Sequence, residues 1–269
     1  MLMGIEVQPE VPGHLLEDPK PLLDADERLI VLWSGKAACT TVLRWTFSRM
    51  GLLDAADYFG WIHQFRTKVY YDSRRYRRGI ERYQQSRYRH IRVVRDPFSR
   101  VVSAYLHSLQ QGYERQQISS FLVVDRAYSF RDFVAYLATV DLASHNIHFR
   151  WQSTAAERDG ELVLDHVVRV EDGLQQRLCE VEQDLGLKAT DFVADNIQSK
   201  HRSDYSALPT FVGDMVHAPG SRPTVPGYGW FYDDALVRQV TRLYRPDFEM
   251  YQYQTELVAP AQKRTGSAA

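Results

Sequence analysis

Residues 28–41, RLIVLWSGKAACTT, constrain the fold of this chain more than any other segment. The apolar run 28–33 reads as a buried strand, the Ser-Gly pair behind it as a loop, and residues 39–50 as a helix stopped by Gly51. A strand that runs through a loop into a helix needs further strands beside it. Residues 58–63 (YFGWIH), 91–94 (IRVV) and 164–170 (LDHVVRV) read as three such strands, separated by helical patterns. A well-defined helix opens at Asp96-Pro97, where the Asp side chain can cap free backbone amides and Pro suits the first helical position. Val101, Val102, Tyr105, Leu106 and Leu109 then recur at helical spacing. Further helices are predicted over 172–185, ended by Gly186, and over 233–244. Strands alternating with helices predict an α/β three-layer sandwich with a central parallel sheet covered on both faces.

A chain of 269 residues with ordinary globular apolar content can bury one substantial core. The expected organisation is an N-terminal extension over 1–27, one domain over 28–253, and a polar, disordered tail over 254–269. The net charge of −1 gives no global reason to expect a nucleic-acid or membrane partner. Cys39 and Cys179 lie in separate helical segments, which argues against a disulfide framework and for a reducing, cytoplasmic setting. The first twenty residues carry acids and prolines where an export signal needs a basic start and an apolar run. No window approaches the roughly 18 apolar residues of a membrane span.

The loop WSGKAACTT, residues 33–41, has the chemistry a phosphate requires. Small residues allow close backbone approach, and the amides at a helix start point at an anion. Lys36 adds charge, while Thr40 and Thr41 can donate hydroxyl hydrogen bonds. It is not a Walker A loop, because Ala37 follows Lys36 and the first Gly is missing, which disfavours an ordinary nucleotide triphosphatase or kinase. The bland alternative is a strand-to-helix turn with an exposed lysine. Cys39 at a helix start could be a nucleophile, but a C-x5-R phosphatase loop would need its arginine one position beyond Arg44.

Residues 93–105, VVRDPFSRVVSAY, carry a second anion-binding signal. Arg95 ends a strand, and Ser103 lies seven residues beyond Asp96, close to two helical turns, so Ser103 shares a face with the capped helix start. One anion could meet both. The alternative is an arginine paired with an acid and a serine turned to solvent.

On these residues the chain resembles the carbohydrate sulfotransferases of the Golgi type and their soluble bacterial relatives. Lys36-Ala37-Ala38-Cys39-Thr40-Thr41 resembles the family's 5′-phosphosulfate loop, and Arg95 to Tyr105 matches the pattern R-D-P-F-x-R-x-x-S-A-Y of its 3′-phosphate site. Weaker similarities lie at HFRWQS (148–153), HVVRVED (166–172) and LYRPDFEMYQY (243–253). The resemblance implies a fold related to the P-loop kinases and the donor 3′-phosphoadenylyl sulfate (PAPS), with 3′-phosphoadenosine 5′-phosphate (PAP) as product. It also implies a hydroxylated acceptor, a glycan or small molecule, and no metal. Lys36 would stabilise charge on the departing phosphate, while Arg95 and Ser103 would hold the 3′-phosphate. Relatives use a Glu or His base at the end of an early strand; His63, ending YFGWIH, stands at such a place and is the expected base, with His148 as runner-up. Glu171 or Asp172 would orient basic groups.

Residues 66–100 hold twelve Lys/Arg against three acids, interleaved with Tyr70, Tyr71, Tyr76, Tyr83 and Tyr88. Three readings stay open for this run: solvated helix faces, attraction of an anionic donor or acidic glycan, and binding of single-stranded nucleic acid. A nonenzymatic binder of nucleic acid or sulfated glycan is accordingly a second functional class beside the enzyme.

Overall fold

A computed structural model describes residues 11–83, 85–122, 127–192, 210–218, 220–221 and 227–257. The first ten residues of the expected N-terminal extension and the expected tail beyond 257 lie outside these. The chain opens with strands β1 (Leu22–Asp24) and β2 (Leu29–Leu32) and helices α1 (Cys39–Arg49), α2 (Leu53–Phe59), α3 (Ile62–Phe65) and α4 (Arg74–Tyr83). There follow β3 (Arg89–Val94), α5 (Pro97–Ser108), α6 (Gly112–Leu122) and α7 (Phe130–Leu137). Next come α8 (Ala155–Arg158), β4 (His166–Arg169) and α9 (Leu174–Asp184), and finally α10 (Asp234–Leu243) and α11 (Arg245–Met250). By their contacts these elements form two compact units, Met1–Val94 with Thr154–Ala194, and Arg95–Ser153 with Asp195–Ala269.

The first unit holds the sheet, an α/β arrangement in the order β1-β2-β3-β4 with helices on both sides. β2, β3 and β4 are parallel, and β1 is antiparallel to β2, so the sheet is mixed rather than wholly parallel. The reason is the connection. β1 and β2 are separated only by the turn 25–28, far too short for the crossover that a parallel neighbour needs. Leu29, Ile30, Val31 and Leu32 are all buried, as expected of a strand covered on both faces. They join Leu22, Trp45, Phe47, Ile91, Val93 and Val168 in one core, and each such side chain contributes about 1.5–3 kcal/mol by leaving water.

The predicted helix stops both operate. After α1, Gly51 takes φ 66° and Leu52 N–H reaches the Phe47 carbonyl at 2.7 Å; after α9, Gly186 takes φ 61° and Leu187 N–H reaches the Glu182 carbonyl at 2.8 Å. Both are Schellman closures, which favour a residue free to adopt positive φ. Glu182 also accepts from Trp45 Nε1 at 2.7 Å and pairs with the buried Arg49 at 2.9 Å, fastening α9 to α1.

The strand predicted over 58–63 does not form. α2 runs through Phe59, Gly60 breaks the chain at φ 90°, and α3 starts at Ile62. The apolar run misleads because it is not a buried ribbon: Tyr58 is 95% exposed and Trp61 61%, while Ala56, Ile62 and Phe65 supply the core contacts. His63 therefore lies on a helix rather than at the end of a strand.

The second unit is helical and has its own aromatic core, including Phe98, Tyr105, Phe130, Phe133, Phe149, Phe231, Tyr232 and Phe248. α5 begins as the sequence predicts, with Asp96 accepting from Ser99 N–H at 2.8 Å and Pro97 in the first turn. α10 is capped likewise by Asp233, which accepts from Leu236 N–H at 2.8 Å.

Candidate functional site

In the first unit the loop between β2 and α1 carries a conformation that its residue types do not favour. Lys36 and Ala38 both have positive φ, 68° and 52°, although each bears a Cβ. A non-glycine residue held there costs of order 1–3 kcal/mol and persists only where its surroundings demand it. Alternating backbone of this kind turns successive N–H groups towards one point, a concavity suited to an anion. α1 continues from that loop with no side-chain cap, so its first-turn amides are aimed at the same end of the helix. Lys36, Ala38, Cys39 and Thr40 are partly exposed, whereas Ala37 and Thr41 are buried.

The loop also meets α3. Thr40 Oγ1 lies 3.0 Å from His63 Nε2, within hydrogen-bond distance, and the Trp61 and His63 ring centroids are 6.2 Å apart. α3 continues into a π-helical turn, Arg66–Tyr70, a local irregularity that often accompanies functional residues. Arg66 opens this turn. Its guanidinium sits 4.4 Å from the centroid of Trp33, the first residue of the loop, and among the described residues its buried Nε and Nη1 have no hydrogen-bond partner. Burying charged N–H groups without acceptors is costly, so this cation is poised for an anion. Sequence reasoning counted Arg66 only as the start of a basic run; the signal available was its position three residues after His63.

Cys39 stays a partly buried free thiol, and Arg44 donates to both oxygens of Asp57 at 2.6 and 3.1 Å. A phosphatase-like pairing of Cys39 with Arg44 finds no support in that arrangement.

In the second unit Arg95 is held through both its backbone and its side chain. Its N–H donates to Gln152 Oε1 at 2.9 Å, its carbonyl accepts from Gln152 Nε2 at 2.8 Å, and its Nε donates to Ser99 Oγ at 3.0 Å. Ser103 follows Ser99 by one helical turn on the same face of α5 and is partly exposed. Other residues of the motif serve the fold. Arg100 and Tyr105 are buried, Tyr105 donating to the Tyr128 carbonyl at 3.0 Å. Asp247, from the C-terminal similarity, accepts from the N–H groups of Gln152 and Ser153. Burial raises the Asp247 pKa and Arg100 opposes the rise.

His148 belongs to this second unit and its Nδ1 lies 2.6 Å from Glu114 Oε1. Glu171 and Asp172 sit in an exposed 3₁₀ turn after β4, in the first unit.

Part of the basic run is built into the fold, while Lys68, Arg74, Arg77, Arg78, Arg82 and Arg87 are exposed. Arg75 pairs with Asp26 at 2.8 Å, Arg89 donates to the Leu185 and Glu27 carbonyls, and Arg92 pairs with the buried Glu157 at 2.7 Å. Tyr70, Tyr76 and Tyr88 are core residues, not platforms on which bases could stack.

A model of the sulfotransferase family matches residues 35–254, which takes in the loop at Lys36, His63 and the Arg95 motif. The chain belongs to the sulfotransferase family, in the branch with the Golgi-type carbohydrate sulfotransferases. No curated protein and no solved structure matches it. No helix among the described residues is long and apolar enough to cross a membrane.

Proposed function

We propose that the protein transfers the sulfuryl group of PAPS to a hydroxyl of a carbohydrate or glycan-containing small molecule. The observation that carries this reading is the left-handed backbone at Lys36 and Ala38, leading into an uncapped helix within a sulfotransferase-family domain. Strain at two residues of the six-residue loop between β2 and α1 is accounted for by a phosphate or sulfate held on the backbone.

In this reading the loop 36–41 takes the 5′-phosphosulfate, with Arg66 adding positive charge beside Trp33. Arg95 and Ser103 take the 3′-phosphate. The sulfur–oxygen bond to the acceptor forms as the bond to the donor's bridging oxygen breaks, leaving PAP. Lys36 stabilises the charge that develops on that oxygen, the kind of contact worth most in a transition state. His63 accepts the acceptor's proton at Nε2, the acceptor hydroxyl replacing that of Thr40 as its partner. The exposed ring of Trp61, its centroid 6.2 Å from that of this histidine, suits the apolar face of a sugar ring. The donor site needs no metal in this scheme, because Lys36 and backbone amides supply the positive charge.

Titration with PAP in the presence of a chelator, followed by incubation with labelled donor and a panel of hydroxylated glycans, tests the reading. Tight binding in the chelator and a sulfate adduct by mass analysis are expected. Absence of PAP binding at millimolar concentration refutes it.

A further inference from the structure

We propose that His107, Glu114 and His148 bind one divalent transition-metal ion, zinc by the character of the donors, as a structural clasp within the second unit. His107 comes from the last turn of α5, Glu114 from the first turn of α6, and His148 from the segment between α7 and α8. One donor atom from each lies within 4.8 Å of the other two. His148 Nδ1 is 2.6 Å from Glu114 Oε1, His107 Nε2 is 3.9 Å from Glu114 Oε2, and the two imidazole centroids are 4.3 Å apart. Zinc bonds of about 2.0–2.1 Å set tetrahedral donors roughly 3.3 Å apart, so these separations need only small side-chain rotations to close on an ion.

The second observation concerns the carboxylate alone. The Glu114 side chain is 4% exposed, and among the described residues its buried Oε2 has no hydrogen-bond partner. A simple Glu114–His148 ion pair satisfies Oε1 and leaves Oε2 desolvated without a donor, which is costly. A cation held between the histidines would satisfy it. Two imidazoles with one carboxylate are donors of zinc sites, and a hard cation such as Mg²⁺ would prefer an all-oxygen set. The histidine side chains are 23% and 27% exposed, so an ion can enter from solvent and keep a water as fourth ligand. His148 Nδ1 then serves the ion, and His148 ceases to be a candidate for the catalytic base.

The test uses the full chain, freed of any affinity tag and stripped of metal. Calorimetric titration with Zn²⁺ should give one tight equivalent, and zinc should raise Tm by several degrees. Co²⁺ at the same site should show the intense visible bands of four-coordinate geometry. His107→Ala, Glu114→Gln and His148→Ala should each lose most of the Tm response to zinc. If the variants fold poorly, X-ray absorption at the zinc edge of the wild type decides: two imidazoles with light oxygen donors support the site, and sulfur ligation or a shell of oxygens alone overturns it. Failure of the wild type to bind a stoichiometric ion, or a normal zinc response in both histidine variants, also overturns it. None of these readouts depends on sulfuryl transfer.

Discussion

Arg95→Ala separates an anion-binding arginine from one that merely holds the fold. The backbone of Arg95 is fixed by Gln152 on both its N–H and its carbonyl, and neither bond involves the side chain being removed. The Arg95 side chain donates from Nε to Ser99 Oγ, a neutral acceptor, and loss of that bond should cost about 1 kcal/mol and lower Tm by roughly 2–4 °C. A charge-assisted bond to a phosphate is worth about 1.5–3 kcal/mol. Arg95 is partly exposed, so water screens it and the lower part of that range applies, about 1.5–2 kcal/mol or roughly 10- to 30-fold in Kd. Calorimetry should therefore find PAP binding weakened by that factor, and binding of adenosine 5′-phosphate, which lacks the 3′-phosphate, nearly unchanged. Ser103→Ala should show the same selectivity at smaller size. Equal weakening of both nucleotides would mean that Arg95 acts through the fold, and no weakening of either would place the 3′-phosphate elsewhere.

Lys36→Ala should lower the transfer rate for every acceptor and weaken donor binding, whereas His63→Ala should leave PAP affinity unchanged and slow transfer by about 100- to 10,000-fold; near-normal turnover of His63→Ala at saturating acceptor would refute its role as base. Arg66→Met keeps the stem against Trp33 but removes the buried nitrogens that lack acceptors, so Tm should hold or rise while PAP affinity falls; a fall in Tm with unchanged affinity would make Arg66 a packing residue. Stability should decline in mild acid through His90, whose pKa burial lowers to about 4, aided by neighbouring His14 and Arg87 and opposed by Asp165. The unfolded chain takes up this proton near pH 6.5 and the folded one only near pH 4, so stability present above pH 6.5 is lost between those values, by up to about 3 kcal/mol before discounting for hydration. His90→Gln should flatten that part of the urea-denaturation profile, and an unchanged slope would contradict the assignment.

What the sequence could reveal depended on whether the signal was local. Asp96 and Pro97 specify the start of α5 by their own bonding capacities, and Gly51 and Gly186 specify helix ends because the closures there require positive φ. The parallel set β2-β3-β4 was legible because each strand carries a short stretch of branched apolar residues and a helix start follows it. β1 was not, since three residues beside Pro21 have no period of their own and are strand only because β2 lies four residues on. YFGWIH failed for the opposite reason. Its aromatic residues imitate a buried strand, yet Tyr58 and Trp61 face water, and composition alone cannot distinguish an exposed aromatic from a core one. The same limit applies within the site. The residue types of 33–41 pointed to a phosphate loop, but strained φ at Lys36 and Ala38 is the stronger argument and leaves no trace in residue identity, because neither position is glycine. The cluster of His107, Glu114 and His148 is less legible still: its members come from three segments, and only the packing of the helical unit brings their donor atoms together. Residues that act by touching a distant partner are found by geometry, whereas residues that act on their own backbone are found by reading.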